Sequence, residues 1–260
     1  MTATTKAPAR LMTHMVAYFP TREASLDVAA ALAEGGASYL EVQFPFSDPS
    51  ADGGSIQSAC TRALDQGFTV DGGFALVAEI AKRTGIPIFI MSYGNLVFRR
   101  GIDRFVEGAK AAGAGGLIVP DLMPGYDERL FAEGARQGMD IVPVVAPSIS
   151  DERLSMVTAV RPAYLYAALR VGITGSYTEI GESNRLFLQR LQRVGAKILA
   201  GFGIRTHEQV AALSSEVHAL IVGSALVELI LEATEGRRDG ELHRLLAAKV
   251  RTLLNGDGDS

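Results

Sequence analysis

The segment MTHMVAYFPTREASLDVAAALAEGGASYLEVQF, from Met12 to Phe44, contains the pattern that decides the fold. It begins with a short apolar run, continues through an alanine-rich stretch, and reaches a second apolar run after two glycines. Short apolar runs bounded by turn residues are typical of buried strands, and glycine commonly ends a helix. The segment therefore predicts a strand, a helix and a second strand that is parallel to the first.

This pattern recurs along the whole chain. Apolar runs that predict strands alternate with segments of helical spacing, such as residues 102–112, where apolar side chains recur every three or four positions. The eight runs are Met12–Phe19, Tyr39–Phe44, Pro87–Met91, Gly116–Val119, Ile141–Val145, Ala163–Ala167, Lys197–Ala200 and Ala219–Val222. The gap between the second and third runs leaves room for an additional helix.

Eight strand–helix units in 260 residues favour a closed barrel over a doubly wound open sheet. We therefore expect an α/β protein with a single-domain (β/α)8 TIM barrel over residues 11–254. We also expect a flexible N-terminal segment at 1–10 and a flexible C-terminal tail at 255–260, because low-complexity sequence is confined to the two ends.

The composition excludes several classes of function. Apolar residues make up 48% of the chain and charged residues 21%, which is typical of a globular protein. The net charge is −4 and no Lys/Arg cluster stands out, so neither nucleic acid nor a membrane surface is expected as a partner. The only cysteine is Cys60, and no secretory signal or long apolar segment is apparent, so we expect a cytoplasmic protein without disulfides.

Glu41 is the first candidate for chemistry, because it lies in the middle of an apolar strand run. A carboxylate there is costly to bury without a partner. Either it is a structural Glu held by hydrogen bonds or a salt bridge, or it is a functional group. The loop Pro45–Gly54 follows directly and contains Asp48 and Asp52. Turn-forming hydrogen bonds are the alternative for both residues and the default explanation of Asp48, but Asp52 could lie opposite Glu41 and supply a second carboxylate for acid and base chemistry.

Glycines follow the last three predicted strands, in Leu169–Gly175, Ala200–Arg205 and Val222–Ala225. They would let backbone N–H groups approach an anion, and a helix starting at Ser224 would point its N-terminus at that anion. Phosphate sites in barrels of this kind are commonly built after strands seven and eight. The pattern favours a phosphate site, with ordinary turns as the alternative.

Residue types that are absent from the ends of the predicted strands restrict the class of reaction. None of the five lysines falls at the C-terminal end of a predicted strand, so a Schiff-base mechanism has no nucleophile. The four histidines, His14, His207, His218 and His243, lack metal-ligand spacing, and we interpret each as structural or solvated. The groups that remain for catalysis and binding are the carboxylates, Tyr166 at a strand end, an apolar pocket and the glycines of the phosphate site. They could break a carbon–carbon bond only if the substrate provides its own electron sink.

At this point the motifs resemble those of the tryptophan synthase alpha subunits. The resemblance extends from about Met15 to Leu231. It rests on Leu40-Glu41 followed by PFSDPSADGGSIQ (45–57), on Tyr93-Gly94-Asn95-Leu96, on GLIVPDL (116–122), on Arg170-Val171-Gly172-Ile173-Thr174-Gly175, on GFGIR (201–205) and on Val222-Gly223-Ser224-Ala225. The most specific element is PFSDP followed by ADG after a Glu-bearing strand.

The resemblance implies a lyase of tryptophan biosynthesis that cleaves indole-3-glycerol phosphate to indole and glyceraldehyde 3-phosphate. Indole would be the missing electron sink, since protonation at its C3 lets the ring accept the bonding electrons. Matched to the family, Glu41 is the acid and base at C3 and at the side-chain hydroxyl. Asp52 accepts the indole N–H, and Tyr166 lies against the reacting centre.

The resemblance also implies the remaining parts of the site. The phosphate cradle corresponds to Gly175, Gly203, Gly223 and Ser224. The indole pocket corresponds to Tyr93, Ile118, Val144, Phe202 and Ile221, for which ordinary core packing is the alternative. A mobile loop that closes over substrate corresponds to Arg170 to about Ser183 and includes Thr174.

No cofactor and no metal are implied in this chain, and the implied partner is a PLP-containing beta subunit in an alpha2beta2 complex. Two departures from the family pattern flank the surface that would meet this partner. The turn Tyr18–Thr21 is shorter than the usual Leu-Gly-Asp-Pro-like turn, and Gly53-Gly54 replaces Gly-Pro. A stand-alone lyase that releases free indole, and a largely regulatory subunit that docks on a beta-type partner, therefore remain as alternatives.

Overall fold

Parallel strands make up one sheet in the computed structural model, which describes residues 8–169, 180–236 and 238–256. Within these ranges there are nine strands: β1 (Leu11–Val16), β2 (Tyr39–Gln43), β3 (Ile88–Met91), β4 (Gly116–Ile118), β5 (Asp140–Val142), β6 (Val144–Val145), β7 (Tyr164–Ala168), β8 (Lys197–Gly201) and β9 (Ala219–Val222). Each of the eight predicted runs overlaps a strand, and the fifth run overlaps two.

Pro143 divides the fifth run into β5 and β6, and these two short strands are the two ends of the sheet order β5-β4-β3-β2-β1-β9-β8-β7-β6. A proline has no N–H to donate to a neighbouring strand, but its carbonyl still accepts a hydrogen bond of 3.0 Å from the Tyr166 N–H. Because β5 pairs with β4 and β6 pairs with β7, the segment around Pro143 connects the two ends of the sheet. The structure confirms the predicted (β/α)8 barrel.

Helices cover the outside of the sheet. They are α1 (Arg22–Glu34), α2 (Gly54–Asp65), α3 (Val70–Thr84), α4 (Gly94–Arg100), α5 (Ile102–Ala111), α6 (Leu130–Gln137), α7 (Asp151–Ala159), α8 (Glu182–Gln192), α9 (His207–Leu213), α10 (Ser224–Glu235) and α11 (Leu242–Asn255), with a 3-10 turn at Asp239–Glu241. Both α2 and α3 lie in the long gap between the second and third runs. Among the described helices, none has the length and hydropathy needed to cross a membrane.

Side chains of the parallel strands alternate between the helix layer and the barrel lumen, as the pleat requires. The helix-facing core is large and continuous, whereas a smaller buried cluster fills the lumen. The lumen cluster consists of Met12, Phe89, Met91, Tyr93, Ile118, Val142, Tyr166, Leu199, Ala219 and Ile221. This cluster packs the interior of the barrel.

The first predicted run extends to Phe19, but β1 ends at Val16. The chain turns there, because Tyr18 adopts a left-handed backbone conformation with φ of +67° that a strand does not allow. The turn lies at the C-terminal end of the barrel, next to the loop that follows β2.

Candidate active site

A cavity of about 330 Å³ opens at the C-terminal ends of the strands. Apolar side chains form much of its wall, and ionisable side chains enter it from β1, β2 and the loop after β2. The apolar side chains include Met91, Ile118, Ile149, Phe202, Ile204 and Ile221. Catalytic groups in this fold occupy this face of the barrel, so the cavity is the candidate active site.

Glu41 lines the cavity from the middle of β2 and is only 3% exposed. Its neighbour in the strand register is His14 on β1, and Nδ1 of His14 lies 3.4 Å from Oε2 of Glu41. The carboxylate therefore faces the lumen and lies beside an ionisable partner. This placement puts Glu41 in the lumen and not in the helix layer, and its functional role stays a prediction.

Asp52 approaches the same cavity from the loop between β2 and α2, and it is also 3% exposed. Its Oδ2 atom accepts hydrogen bonds from Nε2 of Gln43 at 2.8 Å and from the hydroxyl of Tyr93 at 2.9 Å. Burial raises the pKa of Asp52, although the nearby His14 and the two hydrogen bonds oppose this shift. The two hydrogen bonds thus hold Asp52 in a defined position, while burial makes the ionised form of its carboxyl group less favourable.

Tyr93 is not among the residues that line the cavity, although the resemblance implies a place for it in the indole pocket. Its hydroxyl donates to Asp52 and accepts a 3.0 Å hydrogen bond from the Ala51 N–H. Its ring stacks on Phe46, with 5.5 Å between the ring centroids. Tyr93 therefore lies behind the loop Pro45–Gly54 and supports it.

Tyr166 reaches the cavity from β7 and is 8% exposed. Burial raises the pKa of its hydroxyl well above the ordinary value, and the neighbouring Glu41 and Asp52 carboxylates raise it further. The phenol therefore stays protonated and can donate a hydrogen bond into the cavity. Its ring meets Phe202 edge to face, with 6.1 Å between the centroids.

Gly203, Gly223 and Ser224 line the cavity at the ends of β8 and β9. Gly203 has φ of +88°, a conformation that favours glycine, and the preceding Phe202 is also left-handed at +80°. Gly223 precedes α10 and has no side chain that could cap the helix, and the positive end of α10, which begins at Ser224, lies at the cavity. The Arg205 guanidinium adds positive charge nearby and is paired with Glu228 at 2.5 Å.

Of the remaining predicted site residues, Ile118, Val144 and Ile221 line the cavity. The predicted positions Arg170, Thr174 and Gly175 lie outside the residues that the structure describes. The roles assigned to all of these residues stay predictions.

The sequence interpretation missed two residues. His14, interpreted as structural or solvated, is 4% exposed and lines the cavity beside Glu41. Alternation from Met12 places His14 on the lumen side of β1, but its neighbour depends on a strand register that the sequence alone does not provide. Gln43 was assigned only to a strand, and it orients Asp52.

The other three histidines are engaged away from the cavity. His207 contacts the Leu253 carbonyl, His218 the Tyr39 hydroxyl and His243 the Glu34 carboxylate. In the described part of the chain, no three His, Cys, Asp or Glu side chains are grouped so that they could hold a metal ion.

The parallel barrel and the cavity at the C-terminal ends of its strands define a (β/α)8-barrel enzyme. A sequence model of the tryptophan synthase alpha chain family matches residues 1–254. The chain therefore belongs to the tryptophan synthase alpha chain family, a family of lyases known for cleavage of indole-3-glycerol phosphate.

Individual relatives agree with this membership. The chain is 39% identical to the tryptophan synthase alpha chain of Leifsonia xyli subsp. xyli over 243 residues, covering 92% of this chain and 93% of the relative. It is 38% identical to the alpha chain of Helicobacter hepaticus over 230 residues, covering 86% of each. A chain in the structure of the tryptophan synthase α2β2 complex from Pyrococcus furiosus superposes with a TM-score of 0.84 at 32% identity, covering 95% of this chain and 98% of that one.

The raised pKa of Asp52 predicts that Asp52→Asn stabilises the protein at neutral and alkaline pH. Because the folded-state pKa lies above the ordinary value of 3.8, the folded protein binds this proton more tightly than the unfolded chain does. At pH values above the pKa of Asp52 in the folded protein, the ionised side chain lowers the free energy of unfolding. This loss disappears as the pH falls to the pKa of Asp52 in the unfolded chain. The asparagine oxygen can still accept the two hydrogen bonds.

Urea unfolding of the wild type and of Asp52→Asn, at a series of pH values from 4 to 8, measures this difference. The variant should gain stability relative to the wild type as the pH rises. Asp48→Asn changes an exposed carboxylate of the same loop and should show no such trend. A difference between Asp52→Asn and the wild type that is constant over pH would contradict the argument.

Proposed function

We propose that this chain cleaves indole-3-glycerol phosphate by a retro-aldol reaction, giving indole and glyceraldehyde 3-phosphate. The observation that carries the proposal is a single cavity with an acid–base end at Glu41 and Asp52 and an anion-binding end at Gly203, Gly223 and Ser224. The apolar wall between the two ends suits an indole ring. Family membership supports the same reaction.

Glu41 is the acid and base of this mechanism. It protonates indole C3, and it accepts the proton of the hydroxyl group on the carbon that is bonded to C3. The O–H electrons then form the aldehyde carbonyl, while the electrons of the breaking carbon–carbon bond return to the ring as neutral indole. The proton lost by the hydroxyl balances the one gained by C3.

Asp52 stabilises the positive charge that appears on the ring after C3 is protonated. Its carboxylate accepts the indole N–H, and Gln43 and Tyr93 keep it in place through the hydrogen bonds to Oδ2. A buried carboxylate interacts more strongly with a cation that forms beside it than an exposed carboxylate does, because the dielectric constant of the cavity is low. Tyr166 donates a hydrogen bond at the reacting centre.

The phosphate is bound at the other end of the cavity. Gly203 and Gly223 allow the backbone to approach the anion closely, and the N-terminus of α10 provides N–H groups and a favourable dipole. Two parts of the family pattern, the phosphate ligand Gly175 and the closing loop with Arg170 and Thr174, belong to the proposal by resemblance alone.

The proposal includes a partner. The Pyrococcus furiosus match is part of an α2β2 complex, and we propose that this chain docks in the same way on a tryptophan synthase beta subunit that binds PLP and consumes indole. This chain itself uses no cofactor in the proposed reaction, and both proteins act in the cytoplasm. At Gly54, an added Cβ would meet no atom within 4 Å, so packing within this chain does not force the departure from the usual Gly-Pro.

Replacement of Glu41 tests the acid–base role. Glu41→Gln keeps the shape of the side chain and removes the proton transfer, so kcat for indole release should fall at least about 100-fold while substrate still binds. Indole release is measured by absorbance or chromatography, and substrate binding by calorimetry. Glu34→Gln on the exposed end of α1 is the matched control and should keep the wild-type rate. Near-normal turnover in Glu41→Gln would remove Glu41 from the mechanism.

Replacement of Ser224 tests the anion-binding end. Ser224→Asp places a negative charge at the N-terminus of α10, so KM should rise at least about tenfold, with a much smaller effect on kcat. Ser224→Ala removes the hydroxyl without adding charge and should change KM only slightly. Circular dichroism must show that both variants are folded. An unchanged KM in a folded Ser224→Asp protein would place the phosphate elsewhere.

Titration with a beta subunit from the same organism distinguishes the alpha subunit from the stand-alone lyase. If docking favours the competent state of the catalytic loops, kcat should rise at least about tenfold at saturation. Glu41→Gln should bind the beta subunit equally well and remain slow, which separates docking from catalysis. Fast basal turnover with a flat titration would favour the stand-alone lyase. Tight docking without indole release from the wild type would favour the regulatory subunit.

A further inference from the structure

The imidazole of His14 is buried in the wall of the cavity. Nδ1 lies 3.4 Å from Oε2 of Glu41, and the two residues are 4% and 3% exposed. Nε2 is completely buried and, among the described residues, no group accepts or donates a hydrogen bond to it. A buried polar atom without a partner is unfavourable and rare in folded proteins, so the choice of histidine at this position requires an explanation.

The surroundings of the ring show which charges act on it. Glu41 faces it from β2, Asp52 acts on it from the loop after β2, and the neutral Tyr166 hydroxyl shares the cavity from β7. On the β9 side, the backbone of Gly223 lies close to the ring, since a Cβ added there would lie 3.5 Å from Cβ of His14. Arg153 and Arg205 also line the cavity, whereas the charges that act on the ring are those of Glu41 and Asp52.

These charges determine the protonation of His14. Burial alone lowers the pKa of the imidazole, but the charge and hydrogen bond of Glu41, together with the charge of Asp52, outweigh burial and raise the pKa above 6.5. A protonated His14 beside an ionised Glu41, and a neutral His14 beside a protonated Glu41, have the same total charge. Moving the proton between the two residues therefore needs no exchange with solvent.

We propose that His14 is a positioning residue that shares one proton with Glu41 and resets Glu41 between its acid and base steps. This inference rests on the proposed function, since it concerns the residue assigned there to both proton transfers. A Glu41 carboxylate that starts ionised has no proton to give to C3. His14 can supply that proton, so the pair can begin the reaction from the ionised state of Glu41.

The proton path balances. His14 gives its Nδ1 proton to Oε2 of Glu41, and Glu41 gives a proton to indole C3. Glu41, ionised again, accepts the hydroxyl proton as the carbon–carbon bond breaks, and it returns a proton to His14. The pair finishes with the one proton with which it started, and the substrate has moved one proton from oxygen to carbon.

A substrate-free experiment tests the coupling first. The ring nitrogens of ¹⁵N-histidine-labelled protein are titrated by NMR, and the His14 signals are assigned by their loss in His14→Phe. In Glu41→Gln, the pKa of His14 should fall, because the carboxylate that stabilises the imidazolium is gone. His218, which contacts Tyr39 at the opposite end of the barrel, should titrate as before. An unchanged His14 titration in Glu41→Gln would overturn the proposal.

Kinetics then test the effect on the reaction. His14→Asn keeps a nitrogen donor near the Nδ1 position but cannot hold a mobile proton, and His14→Phe keeps the ring alone. In both, kcat should fall at least about tenfold, while KM changes less than about threefold. The pH profile of kcat should also change, because neither variant can hold the shared proton at position 14. His218→Phe makes the same replacement outside the site and should leave the pH profile unchanged.

The outcomes separate the two proposals. If the wild type releases no indole from indole-3-glycerol phosphate, the proposed function fails, and the NMR coupling still decides whether the shared proton exists. If the wild type is active and folded His14→Asn has a wild-type kcat and pH profile, the role of His14 is overturned while the lyase reaction stands. A loss confined to KM or to thermal stability would mean that His14 only packs the cavity wall, and it too would overturn the proposal.

Discussion

The burial of two carboxylates in the mouth of an apolar barrel is the constraint on which the rest of the site depends. Neither Glu41 nor Asp52 is more than 3% exposed, and a buried charge is unfavourable unless other groups compensate it. His14 compensates one, and Gln43 and Tyr93 compensate the other. Tyr93 is in turn held by the Ala51 backbone and the Phe46 ring. The polar residues around these carboxylates and the geometry of the loop after β2 thus compensate two buried charges.

The barrel fold itself brings these groups together. Its parallel strands bring side chains from distant parts of the sequence to one face, and no strand contributes more than two residues to the cavity. The proposed acid–base groups come from β1, β2 and the loop after β2, whereas the proposed anion-binding backbone comes from the ends of β8 and β9. In the proposed reaction, the substrate would be held at its phosphate while protons move at its other end.

Much of the fold could be predicted from the sequence because the information is local. An apolar run, a helical spacing and a glycine identify each unit, and their repetition identifies the barrel. Pro143 was the exception, since it divides one predicted run into two strands without interrupting the barrel. Glu41 and Asp52 could be selected because a carboxylate in an apolar strand, and another in the next loop, are unusual in themselves. His14, Gln43 and Tyr93 could not be placed in the same way, because their positions depend on strand register and on second hydrogen-bond partners that only the folded chain defines.

The pairing of β1 with β9 joins Thr13 to Val222 and has a consequence for the order of events during synthesis. The acid–base groups leave the ribosome early, and the anion-binding groups leave it near the end. The two are brought together only when the last strand pairs with the first, a contact between residues that are very distant in sequence and therefore slow to form. A nascent or truncated chain can hold one half of the cavity but never the whole. Competence for the proposed reaction therefore requires the pairing of the last strand with the first, which completes the barrel.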